Sequence, residues 1–93
     1  MEKAAELAKT LVAEKLIACA NLVPNVRSIY TWKGEICDEP EVMMVMKTMP
    51  QRFTALQQRI VALHPYEVPE ILQLDVQKAH GPYLDWVRAA VLQ

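Results

Sequence analysis

Apolar residues recur along this chain with two different periods, and each change of period marks an element. From Glu2 to Lys15, Leu7, Ala8, Leu11 and Val12 fall on one helical face with Glu and Lys on the other, which predicts an amphipathic helix. Ile17 to Trp32 predicts a long strand, interrupted by a bulge or bend at Pro24-Asn25. Past that point Val26, Ser28, Tyr30 and Trp32 share one face by period-2 alternation. Trp32-Lys33-Gly34-Glu35 reads as a two-residue hairpin turn with Gly34 supplying positive φ. The returning strand, Glu35 to Lys47, contains Val42-Met43-Met44-Val45-Met46, a run apolar on both faces. Such a run predicts a strand covered on both sides.

Pro50 opens a second predicted helix carrying Phe53, Leu56, Ile60 and Leu63 on one face. The short apolar run Ile71–Val76 predicts a third strand, and Tyr83, Leu84, Val87 and Val91 mark a last amphipathic helix. The order is therefore helix, strand, strand, helix, strand, helix. It predicts a single α+β domain over residues 1–93, a ferredoxin-like sandwich of βαββαβ plan with an added C-terminal helix. The first strand of that plan is absent before Glu2, so an open sheet edge is expected at Val42–Met46 or Ile71–Val76.

Composition narrows the class. Hydrophobic residues make up 53% of the 93 and charged residues 23%, so a chain this small is expected to bury surface against copies of itself. Net charge is −1 with Lys and Arg dispersed, so nothing suggests a nucleic-acid footprint and no nucleic-acid partner is expected. The longest apolar runs are too short to span a bilayer, so no membrane partner is expected. Met1–Lys9 lacks a signal-peptide layout, which makes the cytoplasm the expected location. Cys19 and Cys37 are too few for a disulfide framework. Counting outward from the turn sets Tyr30 opposite Cys37 and Cys19 near Lys47, so the thiols cannot meet and are expected to be free.

The candidate chemistry centres on His64-Pro65-Tyr66-Glu67-Val68-Pro69-Glu70. Two prolines stiffen this connector, which presents an imidazole, a phenol and two carboxylates. His64 and Glu67 can offer nitrogen and oxygen to a metal ion; alternatively His64 is a brace that hydrogen-bonds a neighbouring carboxylate and seals a contact between subunits. His80, in a Gly-Pro loop, is expected in solvent. Met43, Met44, Met46 and Met49 alternate faces and read as core filling rather than thioether ligands. Nothing resembles a catalytic triad, a nucleophile elbow or a phosphate loop, so no enzymatic activity is expected.

Several motifs occur together in order: Lys15-Leu16-Ile17-Ala18-Cys19-Ala20-Asn21-Leu22-Val23-Pro24, Ser28-Ile29-Tyr30-x-Trp32-x-Gly34, Lys47-Thr48, the heptapeptide, and Tyr83-Leu84-x-Trp86. Together they resemble the CutA family of divalent-cation tolerance proteins over nearly the whole chain. The resemblance implies a ferredoxin-like subunit in a tight homotrimer, similar in architecture to the PII signalling proteins. It also implies an association with copper or other divalent ions, with Cys19 as the soft ligand. The alternative for Cys19 is a small buried strand residue. The resemblance further places Tyr30, Trp32, Lys47, Tyr66, Glu70 and Trp86 near a cleft between subunits. Such a cleft suits a small-molecule sensor. The alternative is that the aromatics simply pack the interface of a structural trimer that helps partners assemble. The family usually begins with an interior strand and a Thr-Ala-Pro-like turn, whereas Met1 opens directly on the helix here.

Overall fold

Helix α1, Glu2–Ala13, turns its Leu7, Ala8 and Leu11 inward and ends in a left-handed cap. Lys15 takes φ 60°, and the amides of Lys15 and Leu16 bond the carbonyls of Val12 and Leu11, each at 3.0 Å. This is a Schellman motif with lysine where glycine is commonest, closed by the packing of Leu16 on Leu11. It reverses the chain so that Ile17 and Ala18 enter the core before the sheet begins. The computed structural model describes all 93 residues.

Strands β1 (Cys19–Trp32) and β2 (Glu35–Lys47) form a two-stranded antiparallel sheet. Its turn carries positive φ at Lys33 (51°) and Gly34 (82°), the primed geometry that matches strand twist. The expected register is borne out: Tyr30 pairs with Cys37 and Cys19 with Lys47, with a bulge between Val23 and Val26 where Asn25 adopts φ 59°. A 3₁₀ turn, Pro50–Arg52, leads into α2, Phe53–Leu63, and the last helix α3 spans Gly81–Leu92.

Two small apolar clusters hold these elements together. Leu11, Leu16, Ile17, Leu56 and Ile60 form one, with Leu7, Ala20, Met46 and Ile71 packed on it. Ala18, Val87 and Val91 form the other, beside Met49 and Ala90. Only nine residues are buried. Polar ties supplement so small a core: Thr48 Oγ1 donates to the Leu16 carbonyl at 2.7 Å, and Arg59 grips Glu14 through two bonds of 2.8–2.9 Å.

The architecture is α+β, with three helices around the hairpin. Two expectations need correction. Ile71–Val76 forms no strand. The sheet consists of β1 and β2 alone, and the segment's peptide groups bond no other backbone group. The run Val42–Met46 is covered on one face rather than two. Met44 and Met46 are sheltered, while Met43 and Val45 face outward.

The isolated subunit is unusually open. Its accessible surface is 7226 Å², against roughly 5,500 Å² expected of a monomer this size. Its radius of gyration is 14.6 Å, against about 12 Å for a compact chain of this length. Two regions contribute: the hairpin, which leaves Ile29, Tyr30, Trp32 and Ile36 exposed, and the segment after α2, which leaves Val68, Leu72, Leu74 and Val76 exposed.

Candidate functional site

Cys19 opens β1 at the root of the hairpin, where the chain leaves the core. Strand alternation puts it on the sheet face shared by Lys47, Val45 and Met43, opposite the face on which Ala20 and Met46 meet the core. Its Sγ lies 3.7 Å from the Tyr83 hydroxyl, a sulfur–oxygen hydrogen bond in which either can donate. That bond, followed by burial and by the charge of Cys19, raises the Tyr83 phenol above its usual range. Tyr83 in turn lies 5.8 Å, centroid to centroid, from the Trp86 ring. An open hollow of about 430 Å³ adjoins Cys19, walled by Ala8, Val12 and Ala13 of α1 and by Ala18 and Ala20, with Lys9 beside them. The two cysteines are free, as expected, and Cys37 sits far along the hairpin from Cys19.

His64 lies at a different place. It caps α2 in an extended conformation, its amide bonding the Ile60 carbonyl at 2.7 Å. Its Nδ1 accepts the Tyr66 amide at 3.1 Å, and the two rings meet edge-on at 4.6 Å. An Nδ1 that accepts a hydrogen bond leaves the proton of a neutral imidazole on Nε2, so neither nitrogen has a free lone pair in this conformation. A second, larger hollow of about 770 Å³ opens here, lined among others by Lys3, Glu6, Asn25, Glu41, His64 and Tyr66.

Cys19, His64 and Glu67 are therefore not brought together. Nowhere do three His, Cys, Asp or Glu side chains gather in a way that could hold a metal ion. The six cleft residues are also dispersed within one subunit. Lys47 sits at the hairpin root opposite Cys19, whose neighbour Tyr83 contacts Trp86. Trp32 occupies the hairpin tip with the Lys33 Nζ 5.7 Å from its ring. At ~3.3 Å per residue, root and tip are about 40 Å apart. Tyr30 lies between them, its phenol raised first by burial and then by nearby Cys37, Glu41, Glu39 and Tyr66. Glu70 belongs to the stretch without regular structure.

The residue that the sequence reading did not connect to Cys19 is Tyr83. It was visible as a helix marker and part of a motif, but 64 residues separate the pair and only the docking of α3 joins them.

A family model described as "CutA1 divalent ion tolerance protein" matches residues 1–90. The Divalent-cation tolerance protein CutA of Thermus thermophilus is 46% identical over 87 residues, covering 94% of this chain and 84% of that protein. Protein CutA of Bos taurus is also 46% identical, but the chain spans only about half (49%) of its length. Among solved structures, the PII-like protein CutA from Nostoc sp. PCC 7120 in apo form superposes with a TM-score of 0.90 at 43% identity, covering 97% of this chain and 88% of that one. A chain described as the periplasmic divalent cation tolerance protein CutA from Archaeoglobus fulgidus gives a TM-score of 0.94 at 32% identity, with 98% and 88% covered.

Proposed function

The chain belongs to the CutA1 divalent ion tolerance protein family, and from that membership we propose that it is a small self-assembling protein that binds copper or another soft metal ion through Cys19. The observation carrying this reading is the position of the thiol. Cys19 is only partly buried, unpaired, and held against Tyr83 beside an open apolar hollow. Thiolate is the side chain best suited to Cu(I). A single protein sulfur does not complete a coordination sphere, so the other donors come from a neighbouring copy, solvent or a small thiol. His64 and Glu67 join as ligands only if the turn that occupies Nδ1 of His64 opens. The role is binding rather than catalysis.

The assembly we propose is a homotrimer in a reducing cytoplasm. Surface in excess of a compact monomer supports the assembly, and two free cysteines suit that compartment. No helix is long and apolar enough to cross a membrane.

A second reading, a small-molecule sensor of PII type, is favoured by the exposed Tyr30, Trp32, Tyr66 and Trp86. Root and tip of the hairpin can share one cleft only when they come from different copies. Thermal unfolding separates the two readings. The metal reading predicts that Cu(I) raises the melting temperature of the wild type and not of Cys19→Ala, as binding to the folded state requires. A copper response unchanged in Cys19→Ala would sink it. Shifts produced by small metabolites in metal-free protein would favour the sensor.

A further inference from the structure

Tyr83 is the one side chain that hydrogen-bonds Cys19, and a rigid element delivers it. Pro82 lies in the first turn of α3, where its fixed φ suits the helix, and the Leu84 amide closes that turn on the His80 carbonyl at 3.0 Å. Tyr83, Val87 and Val91 follow at i, i+4 and i+8, so they share one helix face. Val87 and Val91 are buried with Ala18, the residue before Cys19. Docking of this face therefore carries the Tyr83 ring to the first residue of β1, where its hydroxyl lies 3.7 Å from Cys19 Sγ. The Trp86 ring lies beside it, 5.8 Å away and tilted by 32°.

We propose that Tyr83 is a positioning residue for metal binding at Cys19, its hydroxyl donating to the sulfur that holds the ion. This rests on the metal reading put forward above and names the group that orients its ligand. The direction of the bond follows from the chemistry. A free thiol can donate or accept, but a thiolate bound to metal has no proton, so the phenol must be the donor. Donation to a charged acceptor is roughly twice as strong as donation between neutral groups. It holds the Cys19 side chain in one rotamer while leaving further sulfur lone pairs for the ion. Tyr83 is also absent from the walls of the apolar hollow beside Cys19, which come from α1 and from Ala18 and Ala20, so the phenol leaves that approach open.

Softness decides between orienting the ligand and being one. Phenol oxygen is a hard donor and suits a soft ion poorly, so Tyr83 acts through the sulfur rather than on the metal. Lys47 pairs opposite Cys19 in the ladder but does not bond the sulfur, which leaves the orienting role to the tyrosine. Removing an outer partner of this kind costs about 10–100-fold in metal affinity. The arrangement also ties metal binding to the seating of α3, because the same helix face supplies both the buried valines and the phenol.

The test compares the wild type, Tyr83→Phe and Cys19→Ala. Tyr83→Phe removes only the hydroxyl and keeps the ring against Trp86, so unchanged helical circular dichroism would certify its fold. Three-bond NMR couplings report the Cys19 χ1 rotamer in metal-free protein, and anaerobic Cu(I) titration against a competing chelator reports affinity and stoichiometry. The proposal expects one dominant Cys19 rotamer in the wild type and rotamer averaging in Tyr83→Phe. It expects Tyr83→Phe to keep the wild-type stoichiometry while binding Cu(I) about 10–100-fold more weakly. Wild-type affinity in Tyr83→Phe, or an unchanged single rotamer, would overturn the proposal and leave Cys19 as the ligand. Loss of the site in Tyr83→Phe as complete as in Cys19→Ala would make the phenol a ligand and overturn its positioning role. Cys19→Ala binding Cu(I) like the wild type would overturn the metal reading itself, and this inference with it.

Discussion

Single residues carry unusual weight where only nine are buried. Lys15 holds the left-handed cap of α1 with a Cβ that this conformation penalises. Lys15→Gly is expected to stabilise the subunit by about 0.5–1 kcal/mol, read as a higher urea midpoint at constant slope. At His64 the turn needs an acceptor at the position of Nδ1, and an asparagine carboxamide oxygen can replace it. His64→Ala should therefore cost ~1 kcal/mol while His64→Asn retains most of the stability. The copper response should persist in His64→Asn, and its loss there would make the imidazole a ligand. Acid sensitivity follows from two ion pairs. Arg59 holds Glu14, and Arg27 holds Asp38, below the usual carboxylate range. Carboxylates lowered in the folded state contribute stability that is present above about pH 4, the unfolded value, and is lost as pH falls through the lower folded values. Both pairs are solvent-exposed, so the effect is small. Glu14→Gln should flatten the fall in urea midpoint between about pH 5 and pH 3, and an unchanged profile would show that this pair adds nothing to acid sensitivity.

At the scale of elements, local signals were easy to read and distant ones were not. A two-residue turn at Lys33-Gly34 fixes every rung of the hairpin above it, so the Tyr30–Cys37 and Cys19–Lys47 pairings followed from counting. Helix faces followed equally well, since Leu11, Leu56, Ile60, Val87 and Val91 all lie on the predicted apolar stripes and are buried. The failure at Ile71–Val76 has a physical cause. Its strand propensity is genuine, but a strand is a property of a pair, and its partner in the plan is not among these 93 residues. The Cys19–Tyr83 contact was likewise hidden, because it depends on where α3 docks. Fusing a β-strand of alternating apolar residues before Glu2 should let Ile71–Val76 pair and raise the melting temperature. Scanning calorimetry checks this, and an unchanged transition would show that the open edge is not a weakness of the fold.

The whole molecule is elongated, with extents of 45 × 27 × 23 Å and an exposed hairpin arm, a shape that suits the proposed self-assembly. A trimer would have a mass of about 32 kDa, three times 10.6 kDa, and light scattering at micromolar concentration should report it. The function proposed for this assembly turns on one sulfur atom per chain. Its most direct test is a Cu(I) titration under anaerobic conditions with a competing chelator, comparing the wild type with Cys19→Ala at matched assembly state. A thiolate ligand at Cys19 predicts a saturable wild-type site whose affinity or stoichiometry collapses in Cys19→Ala. Identical titration curves for the two proteins would contradict it.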